Sequence, residues 1–215
     1  MIYLTELSVP RTTAVDAAMA YDPLVASDMD YCLKTWMADK PAIACRPWRA
    51  ALVRDGVRIT GWRREEPSPG AAGVYVGTKQ VSLSVGQSLA IAGRFIALRR
   101  VKSTARDAAA GRADPKAAYQ AWLRERLVDL MPSATVDGIT IESFHRRPVL
   151  RKVAHGREMT RVREELIPVV EALVLLTVQA PAAVENWLAN GVGPQKAFGY
   201  GAFIPTLDPR AGNQG

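Results

Sequence analysis

Between residues 146 and 163 stand seven cations: Arg146, Arg147, Arg151, Lys152, Arg157, Arg161 and Arg163. Only Glu158 opposes them, so this segment carries +6 of the chain's net +7. Guanidinium groups donate through a rigid planar fork that matches phosphate oxygens and base edges. Such a concentration suits a polyanion, and nucleic acid comes first among partners. Apolar residues alternate on both sides of His155-Gly156, which reads as a basic β-hairpin over residues 147–162 with His155 at its turn. A solvated edge hairpin protected from aggregation by its charges is the plainer alternative. Arg99, Arg100 and Lys102 form a second, weaker patch, whereas Arg63-Arg64 is balanced by Glu65-Glu66.

A second segment draws the eye near the C-terminus: Gly191-Val-Gly193-Pro-Gln-Lys196-Ala-Phe-Gly199-Tyr-Gly201. Glycines let backbone N–H groups approach a polyanion closely, and Lys196 adds a cation. The run follows a helix and precedes a strand, the reverse of the strand-loop-helix order in dinucleotide-binding and P-loop motifs. A glycine C-cap followed by tight turns is the alternative.

The elements that must carry these groups follow from hydrophobic periodicity. Residues 1–9 alternate as a strand. Residues 13–37 are helical in pattern, broken at Asp22-Pro23, with Ser27 as the expected N-cap of the second part and Asp30 three residues on. Met29, Cys32, Leu33, Trp36 and Met37 then share one apolar face. Residues 42–53 and 57–62 read as strands around an Asp-Gly turn, and residues 74–85 and 89–101 as further strands. Asp114-Pro115 opens a helix, and residues 136–144, 169–178 and 202–207 read as strands, with a helix over 181–190. The order is that of an α+β protein of two tandem ferredoxin-like (RRM-like) domains with antiparallel sheets, the first lacking part of its pattern. The join falls near residues 86–92 or within 102–113; the first gives domains of 1–88 and 89–215.

Composition sets the outer limits. With 215 residues, 48% hydrophobic and 23% charged, the chain can bury a real core, which excludes disordered and fibrous classes. Of its 28 basic residues 21 are Arg. Cys32 and Cys45 are too few for a disulfide framework, and His145 and His155 lack zinc-ligand spacing, so neither metal nor other cofactor is expected. The longest apolar stretch, residues 166–184, holds Pro168, Glu171, Gln179 and Pro181, which argues against a membrane span. The N-terminus lacks the pattern of a secretory signal, and a reducing cytoplasm is the expected location.

The pattern GVGPQKAFGYGAFIP resembles the glycine-rich signature of CRISPR RNA-processing endoribonucleases, specifically the CasE branch of type I-E systems, which often shows G-[IV]-G-x-x-K-[AS]-x-G-x-G followed by apolar residues. Thr78-Lys79-Gln80-Val81, Val85-Gly86, residues 89–100 and Ala121-Trp122-Leu123 are similar to other parts of that branch. The resemblance spans most of residues 75–207 and, thinly, 1–65. It implies recognition of a repeat-derived RNA hairpin by the 146–163 ribbon and the 191–201 run. It further implies one cut, by 2′-OH attack on the neighbouring phosphate to leave a 2′,3′-cyclic phosphate, and retention of the product within a multi-subunit effector.

CasE members carry a His on the first helix four residues before a Trp. Trp36 fits that Trp, and Cys32 stands at the His position; no His precedes residue 145. Cys32 is a candidate base if neighbouring Arg lower its pKa, or else an inert thiol on the apolar face. Tyr31 and Lys34, on faces expected to meet solvent, and Arg46 (with Arg49 nearby) complete the candidate catalytic set: a hydrogen-bonding phenol and two cations for the phosphorane. His145 reads as structural. Some type IV CRISPR relatives lack the His and rely on Arg-rich sites. The rival reading is a catalytically weak or inactive subunit that caps the 3′ hairpin of a guide RNA; an RNA-binding protein outside CRISPR is a third.

Overall fold

A computed structural model describes residues 1–21, 27–54, 56–68, 75–97, 115–130, 132–155, 158–193 and 196–206. The first half contains β1 (Ile2–Val9), α1 (Arg11–Tyr21), α2 (Met29–Ala38), β2 (Trp48–Val53), β3 (Gly56–Arg63) and β4 (Tyr75–Val81). The second contains β5 (Ser88–Ile96), α3 (Pro115–Arg126), β6 (Ala134–His155), β7 (Glu158–Val178), α4 (Pro181–Asn190) and β8 (Phe203–Pro205). They build two four-stranded sheets, ordered β2-β3-β1-β4 and β6-β7-β5-β8, with every pairing antiparallel. In both, the last strand closes on the free edge of the first, the order of a ferredoxin-like unit. The second unit has both crossover helices. The first packs α1 and α2 between β1 and β2, and no helix is described between β3 and β4. Among the described residues no helix is long and apolar enough to cross a membrane.

Three elements differ from the sequence reading. Asp28, not Ser27, caps α2: its carboxylate accepts from the N–H groups of Asp30 and Tyr31 at 3.0 and 3.3 Å. A charged acceptor complements the helix N-terminus better than a hydroxyl. The strand expected from residue 42 starts at Trp48, because residues 40–44 fold into a turn in which the N–H groups of Ile43 and Ala44 both donate to the Lys40 carbonyl. The strands read separately over 136–144 and 147–153, and over 159–162 and 169–178, are two long ones, 22 and 21 residues, joined as one hairpin. The prolines that suggested breaks are accommodated. Pro148 lies on edge strand β6, where a missing donor is tolerated. The Pro168 carbonyl accepts from Ala97 N–H, just past the last β5–β7 pair, Ile96↔Val169. An antiparallel residue directs its N–H and C=O to the same side, so the donor Pro168 lacks would have faced a position beyond the ladder.

Beyond Pro168, toward the turn, β7 pairs with β6 alone, and the hairpin leaves the sheet as a two-stranded ribbon. One apolar cluster fills the second unit and takes in Ile2, Trp62 and Leu83 from the first; another lies under α1 and α2. Trp62 is fully buried, and its Nε1–H donates to the Phe203 carbonyl at 2.6 Å. Arg64 bridges to Asn186 and Asn190 of α4. The two sheets therefore meet through packed apolar surface and satisfied polar groups.

Candidate functional site

The N-terminus of α2 faces the base of the ribbon. Asp28 uses one carboxylate oxygen to cap its helix and the other to accept from Leu150 N–H on β6 at 3.0 Å. Asp30, 4% exposed, takes Nη2 of Arg147 from β6 at 3.0 Å and Nη2 of Arg94 from β5 at 3.5 Å. The Tyr200 hydroxyl donates to the same carboxylate at 3.3 Å. Arg94 also lies over the Tyr200 ring and donates to the Gly199 carbonyl. Burial pushes the Asp30 carboxyl above the usual range, although both guanidinium groups pull against it. Burial, with the Asp30 charge beside it, pushes the Tyr200 phenol up to about 12. Arg147, expected to meet a polyanion with its neighbours, is partly exposed and ion-paired with Asp30.

On α2 the candidate catalytic residues part company. Lys34 and Arg46 line one open groove of about 280 Å³, together with Met37, Pro41, Trp48 and Ala197. Tyr31, expected at the surface, is only 7% exposed: Phe198 meets its ring edge-on at 5.6 Å, and the Lys34 ammonium stands 4.8 Å from the Tyr31 ring and 4.7 Å from that of Phe198. The tip of Lys34 is therefore positioned between two aromatic rings at the groove. Cys32 is fully buried on the apolar face and does not line the groove. Burial, and next the Asp28 charge, raise its thiol pKa, opposite to what a base needs. Burial pushes Cys45 up to about 12. Neither thiol is expected to react with a disulfide reagent in the folded protein, and both are expected to react in denaturant. One fast equivalent under native conditions would show that one of them is accessible.

The glycine run lies against the first unit. A Cβ on Gly191 would meet the Pro47 ring at 2.7 Å, and one on Gly199 the Trp48 ring at 2.6 Å. The N–H of Gly191 donates to Trp187 and that of Gly201 to Arg94, so these two donors are engaged within the protein. Among the described residues nothing lies within 4 Å of a Cβ built on Gly193, and Lys196 stands in a short 3-10 turn, half-buried. His145 and Arg146 are exposed on β6. Backbone register opposes Arg151 to Arg163, Lys152 to Val162 and His155 to Glu158; Arg157 lies outside the described residues, as do Arg99, Arg100 and Lys102. Asp30 and Arg94 escaped the sequence reading as a pair. The available signal was Arg94 itself, a charge inside the apolar β5 run SLAIAGRFI.

A family model described as CRISPR associated protein matches residues 76–203. Among solved structures, a CRISPR endoribonuclease Cse3 bound to a 19-nucleotide RNA superposes with a TM-score of 0.61 at 22% identity, over 95% of this chain and all of that one. The CRISPR-associated protein Cas6e from Escherichia coli K-12 gives 0.50 at 19% identity, over 94% and 98% of the two chains. A chain of a CRISPR RNA-guided surveillance complex gives 0.51 at 16%, over 96% and 100%. No curated protein matches the sequence. At these identities the structural matches establish a shared fold.

Proposed function

The chain belongs to the CRISPR-associated protein family, and from that premise we propose that it binds the repeat hairpin of a precursor CRISPR RNA along the β6–β7 ribbon, cuts it once without metal, and stays bound as an effector subunit. The carrying observation is the ribbon itself. A hairpin rich in cations runs past the edge of its sheet, and its base is tied by Asp28 and Asp30 to the helix that bears Lys34. Folded RNA is gripped mainly through phosphate, 2′-OH and shape, which this ribbon can track. The similarity in fold to an RNA-bound endoribonuclease and to a surveillance-complex chain supports the same reading. We place the join of the two domains, 1–88 and 89–215, at the start of β5, so that each is built around one four-stranded sheet. A cytoplasmic location goes with this reading.

In this reading the RNA supplies its own nucleophile. The 2′-oxygen attacks the adjacent phosphorus and the 5′-oxygen leaves, giving a 2′,3′-cyclic phosphate and a 5′-hydroxyl. Lys34, on α2, and Arg46, in the bend before β2, line the groove and would stabilise the charge that grows on the phosphorane. Tyr31 holds Lys34 in place through its ring.

Incubating the full chain with labelled repeat RNA in EDTA tests this. A single product ending in a cyclic phosphate supports the enzyme. Tight binding with no cut supports the rival, a subunit that caps the guide's 3′ hairpin, which the buried Cys32 at the position of the family's His favours. Lys34→Ala and Arg46→Ala are each expected to lower the single-turnover rate by about 10²-fold. If a variant with alanine at Tyr31, Lys34 and Arg46 together cuts as fast as the parent, the groove is not the cleavage site.

A further inference from the structure

We infer that Asp30 is a positioning residue: through Arg147 and Arg94 it fixes the helix bearing Lys34 against the base of the ribbon, so that RNA seated on the ribbon meets the groove in register. The inference rests on the reading above and adds a role for three residues, Asp30, Arg147 and Arg94, that do not touch the reacting atoms.

Three observations carry it. Both carboxylates at one helix end reach across to one strand: Asp30 holds Arg147, and Asp28, already sufficient as a cap, spends its second oxygen on Leu150 N–H three residues along β6. Two such points fix rotation as well as distance. Lys34 follows Asp30 by one helical turn on the same face, so any rotation of the anchored end moves its ammonium. Finally, Asp30 is almost fully buried among two guanidinium groups and a phenol. Buried ion clusters return little net stability, since desolvation offsets attraction; what this one supplies is a fixed geometry between two elements far apart in sequence.

The competing role for Arg147 is a plain phosphate contact. Asp30→Asn, Arg147→Gln and the double variant separate the two in the full chain. Single-turnover cleavage is measured on labelled repeat RNA. Affinity is measured against salt with a 2′-deoxy nucleotide at the cut position. Each single variant is expected to lower the rate by about 30-fold, and the double by little more than either alone, because both remove one connection. The salt slope is expected to stay at its parent value. Arg147→Lys, which keeps the charge and is the milder change should Asp30→Asn fold poorly, is expected to recover part of the rate.

Rates that multiply in the double variant, or a salt slope that falls by about 0.7 to 0.9 in Arg147→Gln with the Asp30→Asn rate unchanged, would overturn the inference. Should the parent bind but not cut, amide exchange over residues 29–38 reads the same connection. RNA is then expected to protect that helix in the parent and not in Asp30→Asn, and equal protection in both overturns the inference while binding stands. A parent that does not bind repeat RNA overturns the functional reading, and the inference with it.

Discussion

Alanine at Arg151, Lys152 and Arg157 together is expected to weaken binding to a repeat hairpin by about 10²-fold near 0.15 M salt and to flatten the salt dependence by roughly two log units per log unit. The arithmetic is that of counterion release. Each phosphate neutralised contributes about 0.7 to 0.9 to the slope, so three fewer neutralised phosphates reduce it by a little over two. Extrapolated from molar salt, where the term vanishes, that slope corresponds to about a hundredfold at 0.15 M. The effect is large because the charge is local: seven cations lie in eighteen residues of a chain whose net charge is +7. Removing Arg124 and Arg126 from the exposed side of α3 takes away nearly as much charge from another place and serves as the control. Equal flattening in both variants would mean that net charge, and not the ribbon, governs binding. An unaltered slope in the triple variant would remove the ribbon as the RNA contact.

Charge and periodicity made much of this fold legible because both are written in neighbouring residues. The alternation in residues 1–9 and the helix that Gly191 ends appear in the structure where the sequence places them, while the break expected at Asp22-Pro23 lies outside the described residues. The two four-stranded sheets follow from the order of those elements. Boundaries were harder. A proline stops a strand only when its absent N–H faces a partner. Whether Pro148 and Pro168 do so depends on sheet position, which no local window holds.

The site divides along the same line. Types and surroundings single out Lys34 and Arg46 as candidates, and the fold brings them to one groove. Tyr31 was placed on an outer face of its helix, but the segment that covers it, Phe198, arrives from more than 160 residues away. Asp30 looked like half of a local cap. Its partners Arg94 and Arg147 come from two strands of the other unit, and only the tertiary structure shows that a charge at a helix N-terminus has left its own helix to bind elsewhere.

The glycine run is where a motif and its physical job diverge most, and substitutions there should separate the two. Gly193→Ala and Gly201→Ala impose nearly the same backbone demand, since φ is 75° at one and 76° at the other. That conformation costs an L-residue about 1 to 2 kcal/mol. The surroundings differ completely. Nothing lies within 4 Å of a Cβ built on Gly193, whereas one on Gly201 falls on the Val192 carbonyl oxygen. That backbone cannot move aside cheaply: Val192 N–H donates to the Gly201 carbonyl and Gly201 N–H to Arg94, each at 2.8 Å. Gly201→Ala is therefore expected to lose about 3 kcal/mol or more in urea unfolding followed by circular dichroism, through a lower midpoint at unchanged slope. Gly193→Ala is expected to lose about 1 kcal/mol. Gly199→Ala should fall with Gly201, because its Cβ would press on the ring of fully buried Trp48. This ordering assigns three of the four glycines to close packing of one unit against the other or of the run against itself, and leaves Gly193 as the one with no described neighbour to constrain it. Equal losses at 193 and 201 would refute that assignment and return the whole run to the role of a supple loop.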